Sequence, residues 1–424
     1  MRLRSPTGRR GVPTSRRKKI QLIAVIVVAI PLVGLVSELV APLHPANDLA
    51  ERMVVAEPPT LSDESPTLCI DGPEFMAALR VDLAAARRRA VVQTLSFEAD
   101  EAGTALAAAL IASPAAEKVL LIDTYSRFVV SDKLIFAPTR LLDVPLGKEA
   151  RRTRRLIKDL EAHGVAVTYG RGFGLGRDNL AARDHKKIIV ADDVAYIGGI
   201  NFSAHNFLWH DMMLRIADAG AADMLAADVA RSRADESGNA RGEFGDVEIV
   251  IGAGEGNTAI RDRTAEAIRA ARTSIAVECP YITEPYFTLL GEARRRGVAV
   301  TIVTSEQNNR LGMKQSIMAG CMRNDLELRF VSDRMTHIKA MLIDDETLVM
   351  GSANFDFLSG ELQPELVAVI RDPATVADFD RRVRQPSLAE SWQWVGSGEE
   401  SLSGRVGSGI MTFAQAVLTA AHTR

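Results

Sequence analysis

Short apolar segments of strand length alternate along this chain with longer segments whose apolar residues have helical spacing. In the first part, the pattern predicts a strand and turn over 67–72, strands over 90–97, 118–125 and 165–169, and helices over 73–89, 101–111 and 148–163. In the second part, it predicts helices over 258–272, 285–295 and 314–323 and strands over 274–279, 298–304 and 326–331. Alternating strands and helices in two matched parts predict an α/β fold built by internal duplication.

Each part also contains one hairpin pattern of the same design. The segment 184–201 reads DHKKIIVADDVAYIGGIN, and the segment 336–354 reads THIKAMLIDDETLVMGSAN. Both contain a histidine and a lysine two positions apart, which a strand would place on one face. Apolar residues, a turn aspartate and a Gly-small-x-Asn sequence follow in both segments. Two copies of one hairpin indicate a single site assembled from two halves.

The N-terminal residues predict a membrane anchor. Residues 1–19 contain eight lysines and arginines and form a basic N-terminus, and the apolar run 20–41 follows. That run is about long enough to cross a bilayer as a helix. The excess of positive charge before it predicts a single-pass protein with a cytoplasmic N-terminus and a catalytic domain on the other side. A cleaved signal peptide is the alternative, but the run is longer than a usual signal core and no small-x-small site follows it.

The composition of the rest of the chain indicates its segments and the broad class of protein. Residues 42–65 are rich in Pro, Glu and Ser and predict a linker, followed by halves over 66–238 and 245–396 and a segment 397–424 with an amphipathic helix. A 47% hydrophobic and 25% charged composition is typical of a globular protein, and the net charge of −3 carries no overall signal for nucleic acid. The three cysteines, Cys69, Cys279 and Cys321, have no zinc or disulfide spacing and are expected to be buried.

The two hairpins resemble the defining motifs of the phospholipase D superfamily, H-x-K-x-x-x-x-D followed by G-G-x-N or G-S-x-N. The resemblance extends over 69–394, and the Gly-Gly form with the stretches DGPEF, SFEADEAGTAL and CPYITEPYF is most similar to the bacterial cardiolipin synthase branch. It implies two pseudo-repeated α-β-α sandwich halves packed together, here preceded by one transmembrane helix. The turn after Asp192 is one residue shorter than the turn after Asp344.

The residue types suit chemistry at a phosphodiester. Lys187 and Lys339 supply fixed positive charge for the phosphate oxygens, and the amides of Asn201 and Asn354 can donate hydrogen bonds to the same atoms. One neutral imidazole can attack phosphorus while the other, protonated, gives a proton to the leaving alcohol. The residues alone do not decide between the two histidines. The resemblance implies that His185 is the nucleophile and His337 the acid and then the base.

Further side chains are expected to support this site. Asp211 and Glu365 are predicted to hydrogen-bond the far nitrogens of the histidines, whereas Asp192 and Asp344 end strands and are predicted to serve structure. The resemblance adds supporting positions at Gly199, Ser352 and Ser359, and at Trp209 beside Asp211. No metal or other cofactor is expected, because the lysines supply the electrostatic stabilisation.

The predicted function is therefore a membrane-anchored phosphatidyltransferase. By resemblance, its substrates are anionic phosphatidylglycerol and an alcohol acceptor, a second phosphatidylglycerol, which gives cardiolipin and glycerol. A phospholipase D hydrolase and a nuclease of the same superfamily are the alternatives, and the anchor and the modest charge disfavour the nuclease. A non-catalytic binding module is disfavoured because both copies keep His, Lys and Asn.

The basic run 148–158 faces either anionic headgroups or solvent, and the apolar stretch 128–146 is either buried or a membrane-contacting lip.

Overall fold

A computed structural model describes residues 48–135, 144–170, 183–254, 256–310 and 312–396. In the first half, the strands are β1 (Thr67–Ile70), β2 (Arg89–Thr94), β3 (Glu117–Asp123), β4 (Val129–Val130), β5 (Lys133–Leu134), β6 (Ala166–Gly170), β7 (Ile188–Ala191), β8 (Val194–Gly198) and β9 (Met212–Ala217). Seven of them form one sheet in the order β1-β9-β8-β7-β2-β3-β6, and β4 and β5 form a separate two-stranded hairpin.

The second half contributes a nine-stranded sheet. Its strands are β10 (Ala240–Phe244), β11 (Val247–Gly252), β12 (Ser274–Glu278), β13 (Ala299–Ser305), β14 (Glu327–Val331), β15 (Ala340–Ile343), β16 (Thr347–Gly351), β17 (Glu365–Ile370) and β18 (Trp392–Trp394). They are arranged in the order β10-β11-β17-β16-β15-β12-β13-β14-β18.

The helices of the described residues connect these strands. They are α1 (Leu49–Val55), α2 (Asp71–Ala85), α3 (Glu101–Ala112), α4 (Val144–Ala162), α5 (Ala204–Leu208), α6 (Ala219–Arg233), α7 (Ala259–Ala270), α8 (Tyr286–Arg295), α9 (Met313–Arg323), α10 (Pro373–Phe379) and α11 (Gln385–Glu390). Short π-helical turns lie at Leu358–Leu362 and Asp380–Arg384.

The two sheets repeat one topology. Strand for strand, β1-β9-β8-β7-β2-β3-β6 corresponds to β11-β17-β16-β15-β12-β13-β14, and β10 and β18 extend the second sheet at its edges. In both, three strands joined through helices run parallel and the hairpin strands pair antiparallel to them. The predicted α/β fold is confirmed, and its duplication is visible in the strand order.

The inner faces of the sheets share one hydrophobic core. Val190 and Leu214 from the first sheet lie in the same buried cluster as Ile249, Leu342 and Leu348 from the second. Residues next to them along the strands point the other way, against the helices that cover the outer faces. Because neither sheet can bury its inner face alone, the two halves form one compact body, and their central hairpins are brought together.

Two of the sequence predictions are wrong in detail. The predicted linker contains helix α1, whose Leu49 and Met53 are buried, because two apolar residues four positions apart provide a packing face within a polar stretch. The His-x-Lys pairs do not lie within strands: they occupy extended segments immediately before β7 and β15.

Several predicted segments lie outside the described residues. These are the basic N-terminus and anchor over 1–41, residues 136–143 of the apolar stretch, and the C-terminal segment 397–424. Within the part of the chain that the structure describes, no helix has the length and apolar character needed to cross a membrane. The three cysteines are free and buried, as predicted.

Candidate active site

The two His-x-Lys segments are tied to each other's half through the backbone. The amide of His185 donates to the carbonyl of Pro364 at 3.0 Å, and the amide of His337 donates to the carbonyl of His210 at 2.7 Å. Each acceptor immediately precedes a predicted supporting carboxylate. The backbone therefore places each histidine beside the carboxylate of the opposite half.

The side-chain contacts follow the same exchange. Nδ1 of His185 lies 2.8 Å from Oε1 of Glu365, and Nδ1 of His337 lies 2.6 Å from Oδ2 of Asp211. A neutral imidazole that donates from Nδ1 to a carboxylate presents an unprotonated Nε2 for reaction. The two histidine–carboxylate contacts expected from the sequence are thus present, and both cross between the halves, which the sequence did not indicate.

The two lysines are buried beside the histidines. Nζ of Lys187 donates to the carbonyl of His185 at 2.7 Å, and Nζ of Lys339 donates to the carbonyl of His337 and lies 3.9 Å from Asp211. Burial, and then the mutual repulsion of the two ammonium groups, lowers the pKa of Lys187 to about 7, although Glu365 opposes the shift. Burial lowers the pKa of Lys339 to about 8, against the pull of Asp211 and Glu365. A bound anion would favour the protonated, positively charged form of both lysines, so the site is suited to bind an anion.

Anion affinity should accordingly depend on pH. An anion binds the protonated lysines, whose pKa values are about 7 and about 8, so its affinity is highest below both values and falls as the pH rises through them. We expect the affinity for diethyl phosphate, a monoanion throughout, to fall by up to about tenfold per pH unit per lysine above that range. Isothermal titration measures this fall. Neutral triethyl phosphate is the control, and an equal loss of its affinity would contradict this origin.

Burial favours the neutral form of both imidazoles. Burial and the neighbouring Lys339 lower the pKa of His337 to about 3, although Asp211 acts in the opposite direction. Burial also lowers the pKa of His185, with Glu365 opposing it. Burial raises the pKa of the Asp211 and Glu365 carboxyls, but the histidines and lysines beside them outweigh it and hold both below their usual range. The positive charges of two ammonium groups are therefore balanced by two carboxylates. A bound phosphodiester adds a negative charge, which stabilises a protonated imidazole.

Three further predicted residues, Ser352, Ser359 and Gly199, contact the carboxylates of this centre. Glu365 accepts hydrogen bonds from the hydroxyls of Ser352 at 2.5 Å and Ser359 at 2.8 Å, which fix its orientation. A Cβ atom at Gly199 would lie 2.3 Å from Oδ1 of Asp211, so glycine is required there for the carboxylate to reach His337.

The two motif asparagines are buried, and the backbone amide of Asn354 donates to Ser359, which in turn donates to Glu365. The Asn201 amide donates one hydrogen bond to Asn206, and its NH2 group retains a second N–H. Oδ1 of Asn201 and Oδ1 of Asn354 have no hydrogen-bond partner among the described residues.

The two motif aspartates have a structural position at the far ends of the hairpins. Both adopt a left-handed conformation, with φ of 50° at Asp192 and 54° at Asp344. The Asp192 carboxylate accepts hydrogen bonds from the backbone amides of residues 87–89, and that of Asp344 accepts from the amides of residues 272–274. Each therefore connects its hairpin turn to the start of the neighbouring antiparallel strand, β2 or β12, despite the difference in turn length.

Removing the carboxylate of Asp344 should destabilise the fold. We expect Asp344→Ala to lower the free energy of unfolding by about 2 kcal/mol, because charge-assisted hydrogen bonds to backbone amides are lost. Asp344→Asn, which keeps one acceptor oxygen and tolerates a positive φ, should lose less. These amides hold the folded-state pKa of Asp344 at about 2, below its usual 3.8, so the stabilisation is present at neutral pH and is lost as the pH falls through that interval. Urea unfolding at several pH values measures both effects, and equal losses in the two variants would contradict the assignment.

Aromatic side chains that the sequence did not single out as a group enclose His337. The ring of Trp209 lies 4.9 Å from the His337 ring, and the ring of Tyr281 lies 6.3 Å from it on an edge-on approach. The guanidinium of Arg310 stacks 3.8 Å from the centre of the Tyr281 ring. Tyr281 lies in the stretch CPYITEPYF, whose aromatic residues were the available signal.

One group of acidic side chains lies away from the histidines. Among the described residues, Glu98, Asp100 and Glu149 have carboxylate oxygens within 4.8 Å of one another. Asp100 already accepts from three backbone amides, at the start of α3 and at Ala204. Glu98 and Glu149 accept from the turn at Ser131. These contacts assign the cluster a structural use.

Comparison with known proteins gives related enzymes over much of the chain. Residues 264–385 match the family described as "Cardiolipin synthase, PLD-like domain". Cardiolipin synthase B of Salmonella typhi is 24% identical over 333 residues, which cover 71% of this chain and 75% of that protein. The minor cardiolipin synthase of Bacillus subtilis (strain 168) is 28% identical over 225 residues, which cover 47% of this chain and 55% of that protein.

The fold also occurs in solved structures. A phosphatidylserine synthase from Haemophilus influenzae Rd KW20 aligns with a TM-score of 0.60 and 13% sequence identity, covering 88% of this chain and 99% of that one. A polyphosphate kinase from Porphyromonas gingivalis aligns with a TM-score of 0.50 and 12% identity, covering 89% of this chain and 60% of that one. The paired motifs, the matching family and the curated relatives make this chain similar to the bacterial cardiolipin synthases of the phospholipase D superfamily.

Proposed function

We propose that this protein is a cardiolipin synthase that uses one site for both steps of phosphatidyl transfer. The donor is phosphatidylglycerol, the acceptor is a second phosphatidylglycerol, and the products are cardiolipin and glycerol. The observation that carries the proposal is the pair of histidines, each held by a carboxylate of the other half beside a buried lysine. The similarity to cardiolipin synthases supports the choice of substrate.

In the first step, Nε2 of His185 attacks phosphorus and the bond to the glycerol oxygen breaks. The lysines and the asparagine amides stabilise the charge on the phosphoryl oxygens, and His337 gives a proton to the departing alcohol. Burial and Lys339 lower the pKa of His337 and favour its neutral form. The bound phosphodiester offsets the lysine charge, so His337 takes up a proton with the substrate. In the second step, His337 removes the proton of the acceptor alcohol as its oxygen bonds to phosphorus, and the phosphorus–nitrogen bond to His185 breaks.

The membrane anchor is part of this proposal. An apolar run over 20–41 after a basic N-terminus would hold the site close to its lipid substrate, with a cytoplasmic N-terminus and the catalytic domain on the opposite side. The native cysteines are buried, so a cysteine introduced at exposed Glu236 provides the test. In intact cells, an impermeant thiol label should modify it. Labelling only after lysis would place the domain in the cytoplasm.

The proposed reaction is tested by its products. The purified full-length protein is incubated with phosphatidylglycerol in detergent micelles, and lipids are identified by mass spectrometry. Cardiolipin with an equal amount of glycerol is the expected result. Phosphatidic acid alone would replace the transferase with a hydrolase, and unchanged lipid with cleavage of single-stranded DNA would replace it with a nuclease.

A further inference from the structure

The tip of the β4–β5 hairpin has an unusual backbone. Its two-residue turn consists of Ser131 and Asp132, with φ of 49° and 58°. Positive φ at both central residues defines a turn that normally contains asparagine and glycine, because other side chains are disfavoured there. Such a conformation persists only where surrounding contacts hold it.

Those contacts come from carboxylates of the first half. The amide of Ser131 donates to Glu98 at 3.0 Å, and its hydroxyl donates to Glu149 at 3.2 Å. Glu98 is itself buried. The hairpin tip is therefore fixed in place, and the orientation of the next residue, Asp132, is determined with it.

Asp132 lies between the two halves. One of its carboxylate oxygens is 3.5 Å from Nε2 of His205 in the first half, and the other is 3.5 Å from the amide nitrogen of Asn309 in the second. These long contacts leave the carboxylate able to accept further hydrogen bonds, and 47% of the side chain is exposed.

Two lines of contact lead from Asp132 to His337. On one side, the ring of His205 lies 5.2 Å from that of Trp209, which lies 4.9 Å from His337. On the other, Asn309 accepts a hydrogen bond from Tyr281 at 2.5 Å, and Tyr281 packs edge-on against His337. Asp132 is thus connected through the rings of Trp209 and Tyr281 to His337, the imidazole to which we assign the acceptor proton.

The carboxylate is ionised in this position. Burial alone would raise the pKa of Asp132. However, His205, whose own pKa is raised to about 9 by the carboxylates around it despite its burial, lies 3.5 Å away and holds the pKa of Asp132 at about 2. A carboxylate accepts hydrogen bonds and repels phosphate, so its complement is a hydroxyl group rather than a second anionic group. A molecule with two neighbouring hydroxyls can engage Asp132 with one while the other faces His337.

We propose that Asp132 and the walls formed by Trp209 and Tyr281 constitute a polyol subsite that selects the acceptor alcohol. In the transfer step, one acceptor hydroxyl donates to Asp132. The neighbouring hydroxyl gives its proton to Nε2 of His337 as its oxygen bonds to phosphorus. The phosphorus–nitrogen bond to His185 breaks, and its electron pair returns to the imidazole. The inference rests on the proposed transferase function. It attributes the preference for a polyol acceptor, over water or a simple alcohol, to this subsite.

A competition between two alcohols tests this assignment. The full-length protein receives phosphatidylglycerol with deuterated glycerol and 1-propanol at equal concentrations, and mass spectrometry gives the ratio of the two phosphatidyl products. We expect the wild type to favour glycerol by about tenfold or more, since a charge-assisted hydrogen bond is available only to the diol. Asp132→Ala should bring the ratio close to one, and Asp132→Asn, which keeps one acceptor oxygen, should lie between. The ratio is internal to each sample and does not depend on the amount of active enzyme.

Asp235→Asn is the matched control. Asp235 is exposed and also has a left-handed backbone, with φ of 59°, but lies at the end of α6 away from the site. It should keep the wild-type ratio. A wild-type ratio in Asp132→Ala, or no preference in the wild type, would overturn the subsite while leaving the transferase intact. Phosphatidic acid as the only product of the wild type would overturn the transferase itself.

Discussion

Replacement of His185 or His337 by alanine is expected to lower turnover of phosphatidylglycerol by about four to six orders of magnitude. Loss of His185 removes the nucleophile, and loss of His337 removes the group that handles the proton of each alcohol. Because the two act in one site, the double variant should lose little more than either single variant. Product formation measured by mass spectrometry over long incubations gives all three rates.

His163→Ala is a suitable control for these substitutions. His163 is exposed at the end of α4, where Nδ1 of its ring lies 2.8 Å from the carbonyl oxygen of Asp159 in that helix. Its loss should leave turnover unchanged. If His185→Ala and His337→Ala each kept half of the activity, the halves would contain separate sites and the single-site account would be wrong. Thermal melting establishes that the variants are folded.

The second large effect is expected at the carboxylates that cross between the halves. Glu365→Gln and Asp211→Asn should each lower turnover by about 10²- to 10⁴-fold, since an amide can hold the wrong imidazole tautomer and does not stabilise an imidazolium. The effect of Asp211→Asn should be larger on proton transfer. A more acidic leaving group on the donor, such as p-nitrophenol, needs no proton and should recover much of the activity of that variant.

The same leaving group distinguishes the two carboxylates. Glu365 supports the nucleophile, so Glu365→Gln should remain slow with the p-nitrophenyl donor. Glu346→Gln, an exposed substitution in the hairpin turn, should match the wild type with both donors. Equal recovery in Glu365→Gln and Asp211→Asn would show that the roles of the two histidines are not divided as proposed.

Much of the fold could be predicted because both halves contain the same sequence patterns for strands, helices and the hairpin. The strand preceding Asp123 and the helix beginning at Glu101 are predicted within a residue or two, since apolar runs and an aspartate cap mark their ends. Helix α1 could not be predicted, because its stability comes from Leu49 and Met53 packing on α2 rather than from a long periodic pattern.

The site shows the same division between local and long-range information. The histidines, lysines and asparagines could be identified because each occurs twice at fixed spacing along the chain. The exchange of Glu365 to His185 and Asp211 to His337 could not, because it depends on how two sheets pack. The role of Asp132 could not be predicted either. Its position arises from a turn with positive φ and from contacts with residues far away in the chain, such as Asn309.

A trapped covalent intermediate tests the central claim most directly. The protein is mixed with phosphatidylglycerol, quenched within one turnover in alkali to preserve phosphohistidine, digested, and mapped by mass spectrometry. We predict a phosphatidyl group on the peptide that contains His185, and its absence in the His185→Ala variant. An adduct on the His337 peptide, or cardiolipin formation by His185→Ala, would contradict the account.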